Sequence, residues 1–205
     1  NQPLTALMLY LQAIRRAHSR GVDIVTVVGD ILDKAAGEAE RAGHIIQRMR
    51  QFVEKRDPER HARALDPLID EAIDLTLLGQ RHRIRIEREA GQNLPPVSVD
   101  PVQVQQIVVN LVRNAIEAAA GAPDPAIRIR TLASDGSVRL EVQDNGPGIA
   151  PDAMARLFTP YAQASQETAR TYGGTGLGLT VSRQLARLMG GELEARAGQP
   201  GGAVF

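Results

Sequence analysis

The sequence predicts an α+β chain in two parts. A helical hairpin pairs with a second copy into a dimeric four-helix bundle, and a two-layer α/β sandwich follows, with helices on one face of a mixed sheet. Three observations predict this. Residues 1–57 carry apolar positions at helical spacing only. Residues 64–205 alternate helical stripes with short segments of strand type. Between them Asp57-Pro58 stops a helix, and the charged stretch from Glu54 to Arg63 reads as a linker, so the domain boundary is expected between residues 56 and 64.

In the first part, Leu4, Leu7, Leu11 and Ile14 recur at spacings of three and four, one stripe of a helix that ends before Gly21. A second stripe runs through Val28, Leu32, Ala35, Ala39, Ala42, Ile46, Met49 and Val53, alternating four and three, which is a heptad seam. Asp30, Lys34, Glu38, Arg41 and Arg48 occupy the opposite, solvated face. A hairpin alone leaves most of such a seam exposed. Pairing two copies covers it; packing of the hairpin on the chain's own second part is the alternative.

In the second part, Asp66-Pro67 reads as a capping side chain with proline at the first helical position, and Leu68, Ile69, Ala72, Ile73 and Leu77 form the apolar face. Ile84 and Ile86 alternate with Arg83, Arg85 and Glu87, as in a strand. Asp100-Pro101 repeats the cap signal ahead of a long helix that turns Val104, Ile107, Val108, Leu111, Val112, Ala115 and Ile116 inward. Ile127, Ile129 and Thr131 alternate, then Val138, Leu140 and Val142, with a hairpin turn at Asp135-Gly136. A last helix is expected from Leu177 to Met189, ended by Gly190-Gly191, with closing strands at Leu193–Ala197 and Ala203–Phe205.

Composition narrows the function. Aromatics are 3%, so the core is aliphatic. Lys+Arg and Asp+Glu are both 24, a balance that argues against nucleic acid as a partner. The absence of cysteine excludes disulfides and thiolate metal sites and allows a reducing cytoplasm, the location expected. No run approaches the roughly 18 apolar residues of a membrane span. Asn1-Gln2-Pro3 reads as helix interior and Val204-Phe205 as a strand cut short, so the chain reads as a fragment.

Three constellations carry chemistry. Asn110 and Asn114, four apart, share one face of the long helix. Buried asparagine is costly without partners. Either the pair satisfies loop carbonyls, or its amide oxygens complete a Mg²⁺ shell with phosphates. Asp144-Asn145-Gly146-Pro147-Gly148-Ile149 is a tight turn, or a backbone that approaches a flat ligand while Asp144 accepts from an exocyclic amine. Gly173-Gly174-Thr175-Gly176-Leu177-Gly178-Leu179 leads straight into a helix, so its backbone N–H groups form an anion site, although it lacks the lysine of the common phosphate loop. The alternative is a hinge. Phe158 to Tyr172 is polar and aperiodic, either a mobile lid or a surface loop. His18, His44, His61 and His82 form no acid–base or metal arrangement and read as structural or solvated.

The order of these pieces resembles the Bergerat-type ATP-binding domain of sensor histidine kinases. Asn110-Leu111-Val112-Arg113-Asn114-Ala115 looks like the N box, Asp144 to Gly148 like the G1 box, Leu157-Phe158-Thr159-Pro160-Tyr161 like the F box, and Gly174 to Leu179 like the G2 box. Asn1-Gln2-Pro3-Leu4-Thr5 is similar to the tail of an H box reading His-Glu-Leu-Asn-Gln-Pro-Leu. The resemblance implies that ATP and Mg²⁺ bind, with Asn114 on the metal and Asn110 beside the phosphates. Asp144, with Gly146 and Gly148, would hold the adenine. Gly174, Thr175, Gly176, Leu177 and Gly178 would line the phosphates, and Phe158 would position the lid. It implies transfer of the γ-phosphoryl to a histidine, expected three residues ahead of Asn1, and then to an aspartate of a response-regulator receiver domain, under an upstream sensor domain. Gln2 falls where related kinases hold a residue used in dephosphorylation. One departure stands out: many members carry lysine where this chain has Glu117, with Arg113 as a possible substitute. An ATPase clamp of the gyrase, chaperone and mismatch-repair type is the alternative, but it needs a glutamate at Asn110, and asparagine is a poor general base. A dimerisation scaffold with a dead nucleotide site is the third reading.

Overall fold

A computed structural model describes residues 2–19, 31, 34–36, 59–78, 84–134, 136–160, 176–198 and 201–205. The chain divides into two compact units, Asn1–Lys55 and Arg56–Phe205. In the first, helix α1 spans Gln2–Ser19. It leaves Met8, Leu9 and Leu11 exposed, while Ile14 is half-buried. Ala35 of the heptad seam is buried; Val28, Leu32, Ala39, Ala42, Ile46, Met49 and Val53 lie outside the described residues. No described helix is long and apolar enough to cross a membrane.

The second unit runs β1 (His61–Arg63), α2 (Leu65–Leu77), β2 (Arg85–Glu89), β3 (Val97–Val99), α3 (Pro101–Ala119), β4 (Ala126–Ser134), β5 (Ser137–Asp144), α4 (Pro151–Met154), α5 (Gly178–Leu188), β6 (Arg196–Ala197) and β7 (Ala203–Val204). A five-stranded sheet has the order β2-β4-β5-β7-β6. It is mixed, because β2 and β4 are parallel and the other pairs antiparallel. The expected hairpin is present, closing at Ser134 opposite Ser137.

The core lies between the sheet and α2 and α3. Ile69, Ala72 and Ile73 of α2 and Val108, Leu111, Val112 and Ala115 of α3 pack with Ile127, Ile129 and Val142 of the sheet. Each fully buried aliphatic side chain contributes about 1.5–3 kcal/mol, so these three elements dominate stability and fix the frame on which the loops stand. The opposite sheet face is charged. Glu141, nearly fully buried, accepts from Arg130 at 2.7 Å and Arg196 at 2.6 Å, joining β4, β5 and β6.

Five local expectations are corrected. Helix α2 starts at Leu65 with Ala64 at its N-cap, so Asp66 is no cap. Its carboxylate instead takes the Thr131 hydroxyl at 2.8 Å and the Arg88 guanidinium, tying α2 to β4 and β2. A tertiary partner thus outcompeted a local one. Within the stretch read as linker, His61–Arg63 forms β1 and pairs antiparallel with β3, a short ladder with no alternating pattern to announce it. Ile84 precedes β2, and Leu77 of α2 is exposed rather than on the core face. Helix α5 starts at Gly178 and ends at Leu188, with Leu177 at its N-cap.

Asp100 does cap α3. Its Oδ1 accepts from Val102 N at 2.9 Å and Gln103 N at 3.3 Å, and Oδ2 accepts from Glu59 N at 3.2 Å. Asp100→Ala is therefore expected to lower stability by about 1–2 kcal/mol, seen as a lower urea midpoint at unchanged slope. An unchanged midpoint would show that the cap is replaced by water.

Candidate nucleotide site

Asp144 is the last residue of β5 and is almost completely buried. The strand delivers it to the edge of the core, and the chain then turns back on it, so that Gly146 N donates to Asp144 Oδ1 at 2.8 Å. Burial pushes the Asp144 carboxyl above its ordinary value, and the backbone N–H groups of Gly146 and Ala203 only partly pull it back. A buried carboxylate answered by backbone donors alone is an acceptor held ready for a polar ligand.

Three glycines close around it. A Cβ at Gly146 would stand 2.5 Å from the Ala118 carbonyl oxygen of α3 and 2.9 Å from Asp144 Oδ1. Gly148 has φ +80°, and a Cβ there would meet the Gly202 carbonyl oxygen at 3.1 Å. Gly202, with φ +78°, approaches Asp144 so closely that a Cβ would overlap the Asp144 carbonyl. These last two backbones need glycine, since other residues are strained at positive φ. Gly202 and Ala203 were missed in the sequence, where residues 203–205 read only as a closing strand. A signal existed in Gly201-Gly202 just ahead of that strand.

Asn145 is a structural member of the same loop. Its Nδ2 donates to Asp124 O at 2.7 Å and its Oδ1 accepts from Ala126 N at 3.0 Å, clamping the loop to the start of β4.

Asn110 and Asn114 are both half-buried on α3. Asn110 Nδ2 donates to Ser182 Oγ of α5 at 2.9 Å, not to a loop carbonyl. Its Oδ1 lies where a Cβ at Gly178 would collide. The N-box asparagine and the glycine that opens α5 are therefore in contact. The Asn114 side chain makes no hydrogen bond among the described residues. Among those residues no three His, Asp or Glu side chains gather into a metal site; a neutral amide oxygen is a donor that a hard cation accepts beside phosphate ligands.

Arg113 Nε donates to Glu117 Oε1 at 3.0 Å, one turn apart on α3. Arg113 is thus paired within α3, with Glu117. Phe158 packs against the core; its carbonyl accepts from Thr180 Oγ1 at 3.1 Å, and the Arg183 guanidinium lies 4.7 Å from its ring centre. Leu177 is buried and Gly176 has φ +67°. Gly174, Thr175 and the lid expected up to Tyr172 lie outside the described residues, apart from residues 158–160. Of the histidines, His61 is exposed on β1.

Residues 99–205, from the end of β3 to β7, match the model of the histidine kinase-, DNA gyrase B-, and HSP90-like ATPase family. The chain belongs to this ATPase family. Sensor protein FixL of Bradyrhizobium diazoefficiens is 37% identical over 210 residues, covering 100% of this chain and 40% of that protein. The C4-dicarboxylate transport sensor protein DctS of Rhodobacter capsulatus is 31% identical over 208 residues, covering 100% of this chain and 31% of that protein. The chain thus spans two fifths or less of these curated relatives. Histidine kinase ThkA, solved in complex with response regulator protein TrrA, shares the fold with TM-score 0.77 at 22% identity, over 99% of this chain and 56% of that one. Asp144, Gly146, Gly148 and Gly202 stand together at the end of β5, and Asn110 meets Gly178 and Ser182 between α3 and α5.

Proposed function

We propose that the chain is the core of a sensor histidine kinase, with Mg-ATP bound by the second unit. Its γ-phosphoryl passes to a histidine expected three residues ahead of Asn1, and from there to a response-regulator aspartate. The observation that carries this over ATP hydrolysis is Asn110. Its carboxamide, pinned between Ser182 and Gly178, has no proton-accepting base to offer an attacking water.

In this reading Asp144 accepts from the adenine amino group, and Gly146 and Gly148 let the flat base come close. Asn114 offers its amide oxygen to Mg²⁺, and Asn110 stands beside the phosphates. Gly174, Thr175, Gly176, Leu177 and Gly178, the glycine-rich run that leads into α5, would line the phosphates. When bound, Mg²⁺ would supply neutralisation of the triphosphate charge. The chain's own contribution is to hold, orient and desolvate. Phe158, fastened by Thr180 and Arg183, positions the entry to the lid.

Dimerisation through the hairpin is part of the proposal. The heptad seam and the apolar side chains exposed on α1 support it, as does the surface a lone hairpin would leave uncovered. The sensor relatives and the ThkA complex support an upstream sensor domain and a receiver partner.

The test is labelling with γ-labelled ATP. A chain extended upstream through the H box is expected to take up acid-labile phosphate, lost when the upstream histidine is replaced by glutamine. Residues 1–205 alone are expected to bind Mg-ATP and take up none. Label on residues 1–205, or rapid release of inorganic phosphate without histidine labelling, would overturn the assignment.

A further inference from the structure

Ser182 lies in the middle of α5, 2% exposed. Serine is a modest helix former, and a buried hydroxyl is costly without a partner, so packing alone does not account for it. Its partner is Asn110 Nδ2 at 2.9 Å, 72 residues away. One turn earlier on the same helix stands Gly178, and the missing side chain there leaves room for Asn110 Oδ1. A single turn of α5 therefore meets both ends of one carboxamide: a hydroxyl accepts from the amide nitrogen, and a bare Cα admits the oxygen. Held this way, Asn110 cannot swing about its side-chain torsions, and its oxygen stays beside the first residue of α5, at the positive end of that helix.

We propose that Ser182 is a positioning residue for the phosphate side of the nucleotide site, acting through Asn110. This rests on the nucleotide-binding reading above and deepens it. Asp144 governs the adenine side from another loop. Loss of the Ser182 hydroxyl therefore weakens what the triphosphate and its metal contribute and leaves the adenine contribution intact. Ser182→Ala removes one oxygen atom and keeps a good helix former, so α5 is retained.

The experiment compares Mg-ATP with AMP in the absence of metal, on the full chain, each followed by NMR titration. Mg-ATP is expected to bind Ser182→Ala about three- to tenfold more weakly, the range of one neutral hydrogen bond. AMP is expected to bind as it does to the wild type. A double-mutant cycle adds a readout that general loosening would not give: on an Asn110→Ala background, Ser182→Ala is expected to have no further effect on Mg-ATP. Equal weakening of both ligands, unchanged Mg-ATP affinity, or additive effects in the cycle would each overturn the proposal. If the wild type bound neither ligand, the nucleotide-binding reading itself would fail, which is a separate outcome.

Discussion

Asp144→Asn is expected to weaken ATP binding by about ten- to a hundredfold, the range of one hydrogen bond to a charged group, while making the folded chain more stable at neutral pH. The affinity loss follows from the site: the carboxylate is nearly fully buried, at the end of β5. Asparagine keeps an oxygen for Gly146 N–H, so the loop should persist, but it lowers the negative charge that favours an exocyclic amine. The gain in stability follows from the direction of the pKa shift. Burial raises the Asp144 carboxyl above its ordinary value, so folding favours the protonated acid. The contribution of this group to stability is then fully present below the ordinary aspartate range, and it is lost as pH rises through the raised value. Above the ordinary aspartate range burial penalises ionisation of the wild-type carboxyl, a cost that the variant escapes. The difference in thermal midpoint between variant and wild type should therefore be positive at pH 7 and shrink as pH falls through the carboxylate range. A midpoint difference that grows toward low pH, or ATP affinity equal to wild type by calorimetry, would contradict this account.

Gly202→Val is expected to lower stability by about 3 kcal/mol or more and to abolish measurable ATP binding. A residue held at positive φ costs about 1–3 kcal/mol when it is not glycine, and overpacking adds about as much. Both apply at Gly202, where φ is +78° and a Cβ would overlap the Asp144 backbone carbonyl and stand 2.8 Å from Asp144 Oδ1. Strand β7 cannot simply withdraw. Phe205 N donates to Val142 O at 3.0 Å and Val142 N to Phe205 O at 2.9 Å, so displacement of β7 would break its ladder with β5. The thermal midpoint should fall by at least about 6 °C. Gly201→Val is the control: a Cβ there has the Gly146 carbonyl oxygen 3.8 Å away as its nearest neighbour, in ordinary contact. Equal loss in both variants would mean that Gly202→Val reports disturbance of the loop, not of the wall beside Asp144.

These two residues show how differently parts of the site could be read from sequence. Asp144 stood out, because an alternating strand ended in Asp-Asn-Gly-Pro-Gly. Gly202 did not, because its role is a close approach to a strand remote in sequence. Asn110 and Asn114 were legible as a pair from helical spacing, but the spacing left their partners open between loop carbonyls and a metal. The Asn110–Ser182 bond is neither, and Ser182 carried no pattern of its own.

The sequence by itself determined the alternation of helices and strands in the second unit, the cap at Asp100, the hairpin at β4 and β5, and the order of the glycine-rich and asparagine motifs. Each is written in a repeat or cap no longer than a few residues, where side-chain direction follows from chain geometry. The tertiary structure decided where Asp66 spends its carboxylate, that His61–Arg63 pairs with Val97–Val99, that Arg113 is held by Glu117 rather than left free, and that Gly202 and Ala203 wall the Asp144 site. Three of these depend on groups brought together from distant parts of the chain. The fourth, a pair one turn apart, was spatially available from sequence, yet only the folded geometry brings the two side chains into bonding distance. Local periodicity orients side chains; competition among partners at bonding distance is settled only when the elements pack.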